Sequence, residues 1–382
     1  MNTRTRQFLA VGIVVSAALI AVAAAVALIA PLASSALDTL GHSLADRMLP
    51  APVSAAIGVA TGLAGIALGV RGIVGPTGAT PPVLRIAAVV LAVIAFLLTP
   101  GSMIPVAGYT FAMVVIVGAV VLAALLVRRH LWWGLAVIAV LAGIVTWAVV
   151  RMQGALLAQE LTASLVEKIP VLLLAAAHLV LLVALTAWAA TGSEGSHGRF
   201  ASWVLRNRIA ITIAAACCAL PYTIARASWL TPWPLLAPSG VDLADMPMVL
   251  LTGLGLGAAM LAGGVLTLGL ILPWGRRFPG WMGGLGGRAV PVALAAVPAF
   301  VVAALFLAGG VDWIVSVLDG SLGDGSFELA LELVLVFPFW LWGPLLALAA
   351  WGYVLHRRDA SDQGQLTLPD TEKSSPVATR RS

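Results

Sequence analysis

Charge and cysteine are what this chain has least of. Charged residues fill 10% of its 382 positions, against about 25% in soluble domains. So little charge cannot cover a water-facing surface of this size. Lysine is nearly missing: only Lys168 and Lys373 occur, and arginine carries the positive charge. The formal charge of +5 is scattered as short arginine clusters between apolar runs. That excludes a continuous basic stripe for nucleic acid and matches the layout of membrane topology signals. The two cysteines, Cys217 and Cys218, are adjacent. Neighbours on a helix point about 100° apart, so they are poorly placed to bond each other and read as small apolar residues. No CxxC or zinc spacing exists. No HExxH, Walker motif, Ser-His-Asp set or paired-carboxylate geometry is readable either. No catalytic residue, metal or cofactor is therefore assigned, and an enzyme is not the favoured reading.

What fills the chain is apolar: 61% of residues are hydrophobic, where soluble domains hold about 45–50%. A bilayer-crossing helix needs about 20 apolar residues. The runs predict an all-α polytopic transmembrane bundle of about ten spans. These begin at about Phe8, Val53, Val83, Val106, Leu131, Ile169, Ile209, Met248, Ala289 and Leu333. Residues 1–358 form one membrane domain, and Asp359–Ser382, polar and with little to bury, reads as a disordered cytoplasmic tail. The first run, Phe8–Leu32, exceeds the h-region of a signal peptide, about 7–15 residues, so it is expected to be retained as a span. Leu156, Leu157, Leu161 and Leu165 recur at helical spacing before span six, which suggests a short helix on the membrane surface.

Orientation follows from the basic residues. With ten spans, only Arg47, Arg151, Lys168 and Arg226 fall in outer segments, and the other 17 of the 21 lie inside. Both termini are expected in the cytoplasm, in the plasma membrane. The lipid bilayer is the one partner composition demands. In span two, Gly58, Gly62, Gly65 and Gly69 share a helix face, and Gly253 and Gly257 make a close-approach pair in span eight. Such faces let a second backbone come close, either inside the bundle or in a homo-oligomer or membrane complex.

Few side chains suggest chemistry. His178 lies nine residues into span six, about 13 Å deep at ~1.5 Å per residue. It reads as a neutral imidazole bonded to a neighbour or, more sharply, as part of a proton or ligand path. Tyr222 and Arg226 close span seven. Arg226 is an interfacial anchor or an outward carboxylate site, because guanidinium grips such groups bidentately. The acids of Gly309–Glu332 read as a solvated loop, with pairing to Arg226 or a cation as alternatives. Arg276, Arg277 and Arg288 flank the Gly-rich turn Gly283–Gly287. Contact with anionic lipid headgroups suits them better than a phosphate loop, which needs a preceding strand.

Four stretches carry a resemblance: Pro221-Tyr222 with Arg226 and Trp229; Pro273–Trp281; Gly287–Pro291; and Phe337–Pro344. In them the second half of the chain resembles a family of uncharacterised actinobacterial multi-pass integral membrane proteins. The resemblance implies class and location and brings no activity. Three functions are open. A transporter or permease-like protein moving a small solute or ion suits the many spans, the prolines of spans nine and ten and His178. A non-catalytic scaffold or envelope-assembly component suits the glycine faces. A lipid-modifying enzyme would use the outer Pro/Trp loop and the acids of Gly309–Glu332.

Overall fold

The computed structural model describes residues 3–30, 42–75, 81–101, 154–191, 198–237, 246–280, 286–320 and 327–366, with scattered positions between 127 and 146. Eleven α-helices are described in these segments. They are α1 (Thr3–Ile29), α2 (Leu44–Met48), α3 (Ala51–Val74), α4 (Pro82–Leu97), α5 (Gly154–Thr191), α6 (Arg199–Cys217), α7 (Leu220–Ala227), α8 (Pro247–Leu268), α9 (Val292–Leu318), α10 (Phe327–Val336) and α11 (Phe339–Leu366). Seven stretches are long and apolar enough to cross a membrane, from Arg6–Ile29 to Leu331–Ala360, and Pro82–Leu97 is a shorter apolar helix. Expected spans four and five fall mostly outside the described residues. The described residues form helices without strands, as a multi-pass helical membrane protein requires. Many apolar side chains on its helices stand exposed, among them Val22, Val89, Leu251 and Val265. Water would penalise such faces, whereas lipid tails are as apolar as they are.

Cα packing divides the chain into two compact units. Unit one holds residues 1–194 and 304–326, and unit two holds 195–303 and 327–382. α9 contributes its first part to unit two and the rest, from Ala304, to unit one.

Unit one is built on the antiparallel pair α1 and α3. Gly58, Gly62, Gly65, Gly69 and Gly72 meet Ala24, Ala21, Ala17, Val14 and Ala10 in turn. A Cβ on Gly62 would stand 2.5 Å from Ala21 Cβ and 2.7 Å from Ala17 O, so only glycine allows this spacing. The glycine face of span two is thus filled from within the chain. α4 and α5 complete the core, with Leu181, Leu185 and Trp188 of α5 against Ile13, Leu68, Ala88 and Leu91.

Several boundaries differ from the sequence expectation. α5 is one helix of 38 residues that runs through Pro170, so the expected surface helix is continuous with span six. It is about 57 Å long at ~1.5 Å per residue. Likewise α9 passes Pro298 and reaches Leu318, so Asp312 is helical rather than in a loop. Span ten is broken at Phe337-Pro338, where Phe337 leaves the helix and Pro338 starts the next one by accepting from Trp342 N at 2.7 Å. The residue before proline is pushed out of the α region, and this gives the break its cause. α11 then continues to Leu366, eight residues into the segment expected to be a disordered tail. The rest of that tail lies outside the described residues.

Substituting Gly62 by Val should lower the thermal midpoint of the detergent-solubilised protein, by ~1–3 kcal/mol or more of overpacking. Gly255→Ala, where nothing lies within 4 Å, should leave it unchanged or slightly raised. Melting both variants beside the wild type checks the seam.

Candidate functional site

Tyr222, Arg226 and Trp229 are spaced four and three residues apart on α7 and the 3-10 turn Ser228–Leu230, so they share one face. The Arg226 guanidinium carbon lies 4.2 Å from the Trp229 ring centre and 4.9 Å from that of Tyr222. The Tyr222 ring in turn packs on Phe337, 4.7 Å between centres. The close-approach pair of span eight explains the fit. A Cβ on Gly257 would come 2.8 Å from Arg226 Cβ, and one on Gly253 would collide with the Trp229 indole. Those glycines make room for side chains of the same unit. Trp229 Nε1 donates to Leu235 O at 2.8 Å, and Ser228 Oγ accepts from Leu235 N at 2.8 Å. The loop after α7 is thereby folded back onto the indole.

Arg226 Nε is buried and meets no acceptor, and among the described residues no acid forms an ion pair with Arg226. Asp242 and Asp245 lie outside the described residues. Contact with two rings contributes ~0.5–2 kcal/mol. A buried charged N–H without an acceptor costs ~1–3 kcal/mol or more. Arg226 is thus held against two rings with one buried donor, Nε, unanswered among the described residues.

His178 belongs to unit one, on α5, and is buried. Its Nδ1 lies 2.9 Å from Leu174 O. A carbonyl can only accept, so Nδ1 donates. The bond is to the carbonyl one turn back on the same helix. Tyr222 and Arg226 are together in unit two.

The other three arginines singled out from the sequence sit where unit two turns between α8 and α9. Pro273–Gly275 forms a 3-10 turn, and Arg277 and Ala289 make an antiparallel bridge. Phe278 N donates to Arg288 O and Val290 N to Arg276 O, at 3.0 and 2.9 Å. Gly287 has φ +77°, the left-handed region glycine enters freely. Arg277 and Arg288 are exposed, whereas Arg276 is half-buried. Two α11 residues that drew no attention in the sequence hold this turn. Tyr353 OH donates to Gly275 O at 2.8 Å, and Arg357 donates to Tyr353 OH at 3.1 Å and to Val290 O at 3.0 Å. Nothing in the spacing of Tyr353 and Arg357 announces partners some 70–80 positions earlier in the chain.

Unit one contains the clearest ion pairing. Arg47 NH2 is 3.0 Å from Asp312 Oδ1 and donates to Ser316 Oγ at 2.9 Å. Arg47 NH1 also pairs with Asp319. Asp312, Ser316 and Asp319 lie along one face of α9 and its end. This corrects the expectation of a solvated acidic loop: Asp312 and Asp319 engage Arg47 rather than Arg226. The approach of Gly101 to the Asp312 carboxylate leaves no space for a side chain. α2 presents Arg47 through a capping box, in which Asp46 N donates to Ser43 Oγ at 3.1 Å and Ser43 N to the Asp46 carboxylate at 3.0 Å. Burial alone would raise the Asp46 carboxyl, but hydrogen bonds from Ser43 and Ser54 outweigh it and hold the group below its usual range.

Among the described residues no group of three metal-capable side chains comes together, and both cysteines are free thiols. No protein-family model, no curated protein and no solved structure matches the chain.

Arg47→Gln should destabilise the detergent-solubilised protein by ~1–3 kcal/mol, and Asp312→Asn added to it should recover part of that loss. The capping-box carboxylate titrates below normal when folded, so its contribution is present at neutral pH and disappears as pH falls through and below about 4. The melting difference between wild type and Asp46→Asn should shrink over that interval.

Proposed function

We propose that this is a permease-like membrane protein that recognises a small carboxylate-bearing anion at its outer face, with Arg226 as the recognition group. The observation that carries the reading is the Arg226 guanidinium, framed by Tyr222 and Trp229, with its Nε buried and without an acceptor. A planar guanidinium held against two rings loses little freedom on gripping a carboxylate.

Sidedness adds support. In unit one, Arg47, Gly101 and Asp312 meet, and all three come from segments assigned outside by the distribution of basic residues. At the other ends of the same helices, Gly75 lies near Arg71 and Arg6, and Arg85 Nε donates to Ala189 O at 3.1 Å. In unit two the Arg226 end of α6–α7 is opposite the Arg208 end. Placing the second ends in the cytoplasm, with both termini, keeps most arginines on the cytoplasmic side of the plasma membrane.

The scaffold alternative drew on glycine faces that the chain fills itself. The lipid-modifying alternative drew on acids of which Asp312 and Asp319 are engaged by Arg47.

The full chain reconstituted in liposomes should take up labelled short mono- or dicarboxylates and not sugars or alkali cations. Arg226→Gln should cut uptake at least tenfold, a loss of about 1.4 kcal/mol or more in recognition, and His178→Phe should leave it within about twofold. Absence of carboxylate uptake, or equal uptake by Arg226→Gln, overturns the proposal.

A further inference from the structure

The basic end of unit two carries an arrangement that the outer site does not use. α6 packs on α11 where Gly352 has no side chain: a Cβ there would be 3.3 Å from Arg208 Cβ and 3.4 Å from Val204 Cγ1. The Arg208 stem therefore lies against α11 one residue before Tyr353. Tyr353 and Arg357 fix the turn main chain on the same stretch of α11, by way of Gly275 O, Arg276 O and Val290 O. They anchor the backbone of Arg276 without engaging its guanidinium. His356 lies between Tyr353 and Arg357 in sequence. His356 is four residues after Gly352 on α11, so it shares the face on which the Arg208 stem packs, and the next residue, Arg357, holds the Arg276 carbonyl.

Two N–H groups at this end are buried with no acceptor, one on Arg208 (NH1) and one on Arg276 (Nε). Arg357 is committed to carbonyls and a phenol. Like charges gathered in a partly buried place repel, and each unbonded N–H adds a desolvation cost. A phosphate group answers both: it carries negative charge and accepts several N–H bonds, and guanidinium matches its geometry.

We propose that Arg208, Arg276 and His356 form a binding site for a phosphate-bearing anion, supplied either by an anionic lipid headgroup or by free phosphate. Arg277 and Arg288, exposed on the same turn, are outside it. The site stands independently of the carboxylate reading at Arg226.

The test uses the full chain, delipidated in neutral detergent. Its melting is followed with added inorganic phosphate and, separately, with phosphatidylglycerol or phosphatidylcholine, and bound lipid is counted by native mass spectrometry. Wild type should be stabilised by a phosphate-bearing anion. Arg208→Gln and Arg276→Gln should each weaken that binding at least tenfold, and Arg288→Gln should not. Retention of phosphatidylglycerol over phosphatidylcholine without a response to phosphate assigns the source to lipid, and a response to phosphate alone assigns it to the free ion. With no anion present, Arg208→Gln should melt at or above wild type, because it removes repulsion. A structural Arg208 would instead melt lower when replaced. That result, binding by the Arg208 and Arg276 variants equal to wild type, or binding of neither probe by wild type overturns the site.

Discussion

Helices surrounded by hydrocarbon cannot be driven together by the hydrophobic effect, because lipid tails are as apolar as leucine. What can hold them is close van der Waals packing, and that needs small residues facing each other. The α1–α3 seam meets this constraint. Five glycines on α3 accept alanines and a valine from α1, so close that a methyl group would crowd their side chains and, at Gly62 and Gly69, collide with backbone. The rest of unit one is laid over this pair, with Leu181 and Trp188 of α5 reaching Gly65 and Gly72 themselves. The same device recurs in unit two with another purpose. There Gly253, Gly257 and Gly352 make room for Trp229, Arg226 and Arg208. Glycine in the first unit brings backbones together, and in the second it seats large cationic and aromatic side chains beside a helix.

Polar groups inside the helices follow a second rule set by the same medium. Each must find a partner within the protein, and the nearest is the carbonyl one turn back. Ser16 donates to Gly12 O, Thr61 to Ile57 O, Thr212 to Arg208 O and Thr267 to Gly263 O. His178 does the same with Leu174 O. These contacts use up hydroxyls and the imidazole donor locally. The cations escape the rule, because a guanidinium has too many donors for one carbonyl. That difference explains why the unanswered N–H groups discussed above sit on arginines.

Much of this was legible in the sequence because it depends on local spacing. The glycine stripe of α3 and the common face of Tyr222, Arg226 and Trp229 are periodicities. The split of arginines between segments is a count. What was not legible depends on contacts between distant positions. Arg47 and Asp312 are 265 residues apart, and Tyr353 reaches Gly275 across 78. Arg276, Arg277 and Arg288 look equivalent in sequence, and only the bridge between Arg277 and Ala289 sends two of them outward and leaves the third against α11. Proline is ambiguous for a related reason. Pro170 and Pro298 each remove one hydrogen bond and the helix continues, whereas Pro338 ends one helix and begins another. Sequence shows the residue and not which outcome its neighbours permit.

The two unanswered cations of unit two are related by the length of the helix between them. Arg208 and Arg226 are 18 residues apart along α6 and α7, about 27 Å at ~1.5 Å per residue. That is close to the ~30 Å of a bilayer's hydrocarbon core. One therefore stands towards each end of a bilayer-length stretch, and the polar side chains between them bond locally. Thr212 and Thr223 donate to carbonyls one turn back, and Cys218 does likewise through its thiol. The stretch is interrupted once, at the turn Cys218-Ala219 ahead of Pro221, where Cys218 N and Ala219 N donate to Ala215 O and Ala216 O and the chain stays bonded through the change of helix.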